Sequence, residues 1–389
     1  MKPKVIRVST VPMSINHLLK GQLKFLSQHF EIVAVSGEGK DLDECAEREG
    51  VRTVPIEMRR KISVLQDLKS LIQLYFLFRK EKPQIVHSIT PKAGLLSMLA
   101  AKFAGVPIRV HTFTGLIFPY RTGFLQKVLI HMDRLLCKAA TNIYPEGKGV
   151  KEDLIRYKIT DKPLKILANG NINGVDLQHF NPGKIGEKER AKLRQTLWIS
   201  EKDFVFIFLG RLVREKGITE LFDAFTKLDD KSEKPVKLLL IGPFEKVFDE
   251  LPNEVVEGLE AHPNIILTDF QKDVRKFYAI SNALVFPSYR EGFPNTVLEA
   301  GAMNLPSIVT DISGCNEIIE NGKNGIIIPP KSADKLFDAM RLFLDNPLEI
   351  KKMGEEARMK VEQNFDNQTV WNAVLNEYQD LLKTADSAQ

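Results

Sequence analysis

Two cations, Arg211 and Lys216, stand five positions apart directly behind the apolar run FVFIFLG, which closes at Gly210. Gly217 follows, and a helical pattern begins near residue 218. Backbone N–H groups at a helix start lack intrahelical partners, and with two cations beside them they form an anion site. A loop with two solvated charges is the competing reading. Placement at the end of a buried strand favours the anion site. Downstream, ALVFPS runs into YREGFPNTVLEAGAMNLP, which carries Glu291 and Glu299 eight positions apart. Gly292 permits close ligand approach, and Pro294 suits the first turn of a helix reaching about Met303. Glu291 then lies in the loop before that helix and Glu299 inside it, both able to face one cleft. His111 stands near the end of IRVHTF, ahead of Gly115. His17, His29, His87 and His131 carry no such context and read as structural or solvated. The triplet Asp41-Leu42-Asp43 has the form of a metal-binding pair, but it opens a helical pattern, where acids complement the dipole.

These residues need elements to position them. VIRVST, EIVAV, VRTVPI, QIVHSI, IRVHTF and TNIY read as strands, alternating with helical stretches such as 62–81 and 121–140. The alternation restarts with FVFIFLG, KLLLIG, NIILTD, ALVFPS, PSIVTD and GIIIPP. Such a pattern predicts α/β architecture, with two Rossmann-like, doubly wound parallel sheets facing a cleft. The expected division is a first domain over 1–170, a Gly- and Asn-rich linker over 171–200 and a second domain over 201–365, with the anion site in the second. Residues 366–389 form a final helix expected to return to the first domain.

The length of 389 residues fits two domains, and 43% hydrophobic and 27% charged content is ordinary for a globular chain. Three separated cysteines, Cys45, Cys137 and Cys315, make neither a disulfide framework nor a zinc site and fit a reducing compartment. No signal peptide is visible, and the most apolar run, Leu71 to Phe78, is too short to span a bilayer. A cytoplasmic location is therefore expected. Residues 1–180 hold 28 Lys and Arg against 16 Asp and Glu, whereas the remainder holds 27 against 34. The basic, aromatic-bearing stretches 59–80 and 118–138 suit an anionic lipid surface, although two ordinary amphipathic helices on a sheet explain the apolar stripe equally well. No nucleic-acid-binding module is recognisable, and nucleic acid is not an expected partner. Gly37-Glu38-Gly39 lacks the third glycine of a dinucleotide fingerprint, which argues against a dehydrogenase.

Three segments, GRLVREKG, SYREGFPNTVLEAGAMNLPSIVTD and GCNEIIENGKNGIII, resemble the C-terminal domain of glycosyltransferase family 4, retaining enzymes of GT-B architecture. The resemblance covers the whole chain, strongly over 203–330 and more loosely over 1–180. It implies that Arg211 and Lys216 hold the donor diphosphate, Glu291 contacts donor-sugar hydroxyls and Glu299 bonds the ribose. Backbone around Gly292 and Phe293 would touch sugar or phosphate, Asn295 and Thr296 would add phosphate contacts, and TDFQKD (268–273) would lie near the base. His111 would orient the donor sugar. The family's Gly-rich loop after the first strand is replaced here by TVPMSINHLLKGQL, where Ser14 and Asn16 are the candidate contacts. Countercharge from Arg211, Lys216 and a helix start leaves no need for a metal or other cofactor. TVPMSINHLLKGQLKFL and LANGNINGVDLQHF look most like bacterial enzymes of capsule, O-antigen or lipid-linked glycan synthesis. The expected donor is a UDP-sugar, with GDP as the alternative carrier, and the expected acceptor is a saccharide or lipid-diphosphate-linked saccharide. A nucleotide-sugar epimerase of the same fold is the alternative activity.

Overall fold

The computed structural model describes residues 2–59, 63–245 and 249–387. The chain divides into two units, Met1–Gly174 with Asn367–Gln389, and Val175–Asp366. Residues 60–62, in the basic stretch 59–80 and at the start of the predicted helix 62–81, lie outside the described residues.

In the first unit, β1 (Lys4–Val8), β2 (Glu31–Ser36), β3 (Arg52–Pro55), β4 (Ile85–Ile89), β5 (Ile108–Phe113) and β6 (Asn142–Pro145) form one sheet. Its order is β3-β2-β1-β4-β5-β6, and its pairs are parallel, with Val5 opposite Ile32 and Ile85. Side chains alternate across a strand, and here they feed two cores. Ile6, Val8, Val33, Val35 and Val86 enter one, whereas Val5, Ile32, Ala34, Ile85 and Val110 enter the other. Strands covered on both faces must be apolar throughout, which is why EIVAV and QIVHSI carry so few charges.

The second unit repeats the design with β7 (Phe204–Leu209), β8 (Val236–Ile241), β9 (Ile265–Thr268), β10 (Ala283–Phe286), β11 (Ser307–Thr310) and β12 (Gly325–Ile328). The order β12-β11-β10-β7-β8-β9 is the same doubly wound arrangement, again with parallel pairs. Phe206, Phe208, Leu239, Leu284 and Ile308 are fully buried, each contributing about 1.5–3 kcal/mol relative to exposure. The helix Ile218–Lys231 buries Ile218, Leu221, Phe225 and Leu228, the spacing of one helical face. In each sheet the strand order reverses at one place, between β1 and β4 and between β7 and β10, and the crevice outside such a reversal is where ligands of these sheets sit.

The linker reading of 171–200 needs correction. Val175, Ile185 and Ile199 are buried in the core of the second unit, and Glu187–Thr196 is a helix of that unit. Its Gly, Asn and Pro content reflects tight turns, such as the Asn171 side chain accepting from the N–H groups of Asn173 and Gly174. The last helix, Asn367–Ser387, belongs to the first unit. It is fixed by polar contacts: Tyr144 donates to Glu377 at 2.6 Å, Trp371 to Asn173 at 2.7 Å and Arg7 to the Tyr378 hydroxyl at 3.1 Å. His87 lies 2.6 Å from that hydroxyl and 2.7 Å from Thr112 Oγ1, a buried structural histidine held neutral by desolvation.

Candidate active site

The chemistry predicted for the second unit gathers at the reversal between β7 and β10. Arg211 follows the end of β7, and a single 3₁₀ turn, Arg214–Lys216, leads to the helix at Ile218. Gly217 joins the two with φ +70, and a Cβ there would lie 2.2 Å from the Pro287 carbonyl oxygen. Only glycine lets the loop after β7 approach the loop after β10 this closely. The consequence is direct contact between predicted residues. Lys216 forms an ion pair with Glu291, their side chains only 17% and 15% exposed, and its ammonium stands 5.3 Å from the Phe286 ring centre. A lysine has three N–H donors, so one carboxylate does not exhaust it.

Arg211 is held from the other side. Glu215 Oε1 accepts from its guanidinium at 3.3 Å, and Glu245 lies 3.8 Å away. Glu215 Oε2 accepts two bonds from Arg290, at 2.9 and 2.7 Å. Tyr289 N–H donates to the Glu215 carbonyl at 2.8 Å, stitching the two loops together. Glu215 and Arg290 were not singled out in the sequence. Their neighbours in the chain were, and only the pairing of the loops reveals that one carboxylate serves two guanidiniums. Arg211 itself remains 45% exposed.

The helix after the turn runs Asn295–Ala302, with Pro294 at its cap position. Asn295 and Thr296, half-buried, form its first turn. Phe293 is buried and packs on Phe365 at 5.4 Å, so its ring anchors the turn. Gly314 holds φ +78, and a Cβ there would reach 2.3 Å from the Gly292 oxygen. Glu299 sits one helical stretch beyond Glu291, 3.4 Å from the buried Tyr278 hydroxyl. Burial, and then Glu291, push the Cys315 thiol well up, leaving it an inert packing residue. Arg211, Lys216 and Glu291 are therefore brought into one connected cluster, with Gly292, Asn295, Thr296 and Glu299 following along the same turn and helix. In 268–273, Asp273 is tied to Arg275 at 2.8 and 2.6 Å, which lowers its carboxyl to about 2, while Phe270 is exposed.

In the first unit, two of the residues expected to contact the donor are buried. Asn16 is 1% exposed and fully engaged: its amide donates to Asp41 at 2.9 Å and its Oδ1 accepts from Arg48 at 2.5 Å. It fastens the helix Lys40–Glu49, as does Asp41 of the apparent metal triplet. His111 is also 1% exposed, its Nδ1 2.8 Å from Ser88 Oγ and its ring edge-on to Phe113 at 4.5 Å. Desolvation lowers its pKa to about 3, so it is a neutral core residue. β5 continues through Phe113, so the strand end falls at Thr114 and Gly115, beyond His111. Ser14, in the helix Pro12–Leu18, does line an open cavity.

Residues 189–360 match the family model described as "Glycosyl transferases group 1", and residues 11–146 match "Glycosyl transferase 4-like". A capsular polysaccharide biosynthesis glycosyltransferase, CapM, of Staphylococcus aureus is 32% identical, covering 98% of both chains. The UDP-Gal:alpha-D-GlcNAc-diphosphoundecaprenol alpha-1,3-galactosyltransferase of Escherichia coli is 29% identical over 94% of each. Among solved structures, a glycosyltransferase from Rickettsia africae superposes with TM-score 0.81 at 21% identity, covering 98% of this chain and 99% of that one. HepE of Anabaena, in complex with UDP and glucose, gives 0.83 at 16% identity over 97% of this chain and 100% of its own. Taken with the two doubly wound sheets, these likenesses mean that the chain belongs to the family 4-type glycosyltransferases of GT-B fold.

Proposed function

We propose that the chain transfers a hexose or N-acetylhexosamine from a UDP-sugar, with retention of anomeric configuration, to a lipid-diphosphate-linked saccharide in bacterial surface polysaccharide synthesis. The contact between Lys216 and Glu291, with Arg211 tied through Glu215 to Arg290 in the same pair of loops, carries this reading. Breaking the bond between the anomeric carbon and a nucleoside diphosphate leaves negative charge on the β-phosphate. Preorganised Arg211 and Lys216 at the start of the helix Ile218–Lys231 meet that charge, so the reaction we propose is metal-independent. Glu291 takes donor-sugar hydroxyls, Glu299 the ribose, and the Gly292–Phe293 backbone with Asn295 and Thr296 the phosphate side. The acceptor hydroxyl attacks the face from which the diphosphate leaves, and a leaving phosphate oxygen receives its proton, so no protein nucleophile is needed. The E. coli relative's name specifies a UDP-sugar and a diphosphoundecaprenol-linked acceptor, and HepE was solved with UDP, which supports the choice of carrier and acceptor.

Among the described residues no helix is long and apolar enough to cross a membrane. The helix Val64–Glu81, however, exposes Leu65, Leu68, Ile72 and Phe76 along one side together with Lys69, Arg79 and Lys80. This is the composition of a surface that rests on anionic lipid, and we assign it peripheral contact with the cytoplasmic leaflet. An epimerase needs a free acid and base pair at the sugar; Glu291 is committed to Lys216 and the relatives above are transferases, so transfer is preferred. Calorimetry with UDP-, GDP- and ADP-sugars tests the donor. Binding of the UDP-sugar, weakened at least roughly tenfold by Lys216→Ala, is expected; selective binding of another nucleotide would overturn the assignment of the carrier.

A further inference from the structure

The reversal point of the first sheet also opens into a cavity, of about 370 Å³. Thr10 behind β1, Thr90 behind β4 and Gly115 behind β5 stand at its mouth, the location at which such sheets bind ligands. Its wall is apolar: Leu95, Leu116, Ile117, Leu129 and Met132. Most of its polar groups are engaged. Lys92 donates to both Asp67 oxygens, at 2.8 and 3.0 Å, and the Thr10 and Thr90 hydroxyls lie 2.8 Å from each other. Asp133 differs. It projects from the helix Gly123–Ala139 into this wall, and its carboxylate has no hydrogen bond or ion pair among the described residues.

A carboxylate without partners against apolar groups costs stability, and an apolar side chain such as leucine, though larger, would carry no such penalty beside an open cavity. Such a residue is retained where a ligand completes it. We propose that Asp133 is a specificity-determining residue for the acceptor, gripping a hydroxyl of the acceptor sugar while the ring's less polar face lies on Leu95, Leu116 and Leu129. The attached lipid then leaves past Ile117, Tyr120 and Phe124, which are exposed. The inference rests on the transferase reading above and adds to it the group that selects the acceptor. Burial in the wall pushes the Asp133 carboxyl up to about 7, in keeping with a site completed by a hydroxyl rather than by a cation.

The test uses the full chain, UDP, and a decyl-diphosphate-linked N-acetylglucosamine as the acceptor probe, both followed by calorimetry. Asp133→Leu should leave UDP affinity within twofold, should not lower Tm, and should weaken the probe at least roughly tenfold. Asp133→Asn, which keeps hydrogen-bonding capacity, should weaken it less, and in turnover both changes should appear in acceptor KM rather than kcat. Probe affinity within twofold of wild type in both variants overturns the proposal, as does a parallel loss of Tm and UDP affinity, which would mark a structural residue. Wild-type protein that binds UDP but not the probe also overturns it and leaves the donor reading standing. Probe binding without UDP binding does the reverse.

Discussion

Removing the ammonium of Lys216 separates two effects that the structure couples. In Lys216→Ala the proposed diphosphate site loses a cation held at the helix start, and Glu291, only 15% exposed, loses its partner. A charge-assisted hydrogen bond made in the transition state is worth about 1.5–3 kcal/mol, and a preorganised donor to a developing anion about 2.7–4 kcal/mol. The expected loss in kcat/KM is therefore about tenfold at the least and about a thousandfold at the most. Glu291→Ala should also cost at least roughly tenfold, because it removes contacts to the sugar and releases Lys216 from its position. Since the two side chains touch, their effects should not multiply: the double variant should be less impaired than the product of the singles, by an interaction of about 0.5–3 kcal/mol. The assay is initial-rate transfer from the UDP-sugar at saturating acceptor, with Tm recorded for all four proteins to show that they fold. Near-normal rates in both single variants, or strictly multiplicative losses in the double, would refute the reasoning.

Two further outcomes follow from the first unit. His111 resists protonation down to about 3 when folded, whereas its ordinary value is 6.5, so the unfolded chain binds the extra proton between these values. Its contribution to stability is present above about 6.5 and is lost as pH falls, by up to about 1.4 kcal/mol per pH unit. Asp133 acts in the opposite sense, since its folded value is raised to about 7; the informative quantity is therefore the difference between wild type and His111→Gln in urea denaturation at pH 7, 6 and 5. That difference should shrink as the pH is lowered, and a constant difference would contradict a buried neutral imidazole. If the helix Val64–Glu81 makes the proposed lipid contact, Phe76→Glu should reduce co-sedimentation with vesicles containing anionic phospholipid at least severalfold without changing Tm, because Phe76 is exposed. Unchanged sedimentation would remove that helix from the membrane contact.

Much of this site is legible because it is local. GRLVREKG and SYREGFPNTVLEAGAM each carry strand end, turn and helix start within one segment, so type and spacing alone assign Arg211, Lys216 and Glu291 to two loops and Glu299 to the helix that follows the second. The strands are equally readable: EIVAV and FVFIFLG are apolar on both faces, and the observed Glu31–Ser36 and Phe204–Leu209 match them closely. What failed depends on where a side chain points. The resemblance gives His111 a place at the donor sugar, but two residues of β5 still follow it, and the alternation of the strand turns it onto the helix carrying Gly94. Asn16 has the look of a loop residue, yet its partners lie 25 to 32 positions away. Glu215 and Asp133 gave no signal at all, since a lone acid among basic neighbours is defined only by what surrounds it in space.

The Glu215 carboxylate has a mechanical side. It grips Arg211 behind β7 with one oxygen and Arg290 behind β10 with the other, so a pull on either arginine is transmitted to its counterpart across adjacent strands. A substitution at position 290 would accordingly be felt 79 residues earlier in the chain, as a slackened Arg211, even if residue 290 never touches the sugar nucleotide. The setting of Arg211 thus depends on a carboxylate that joins the loops behind two neighbouring strands.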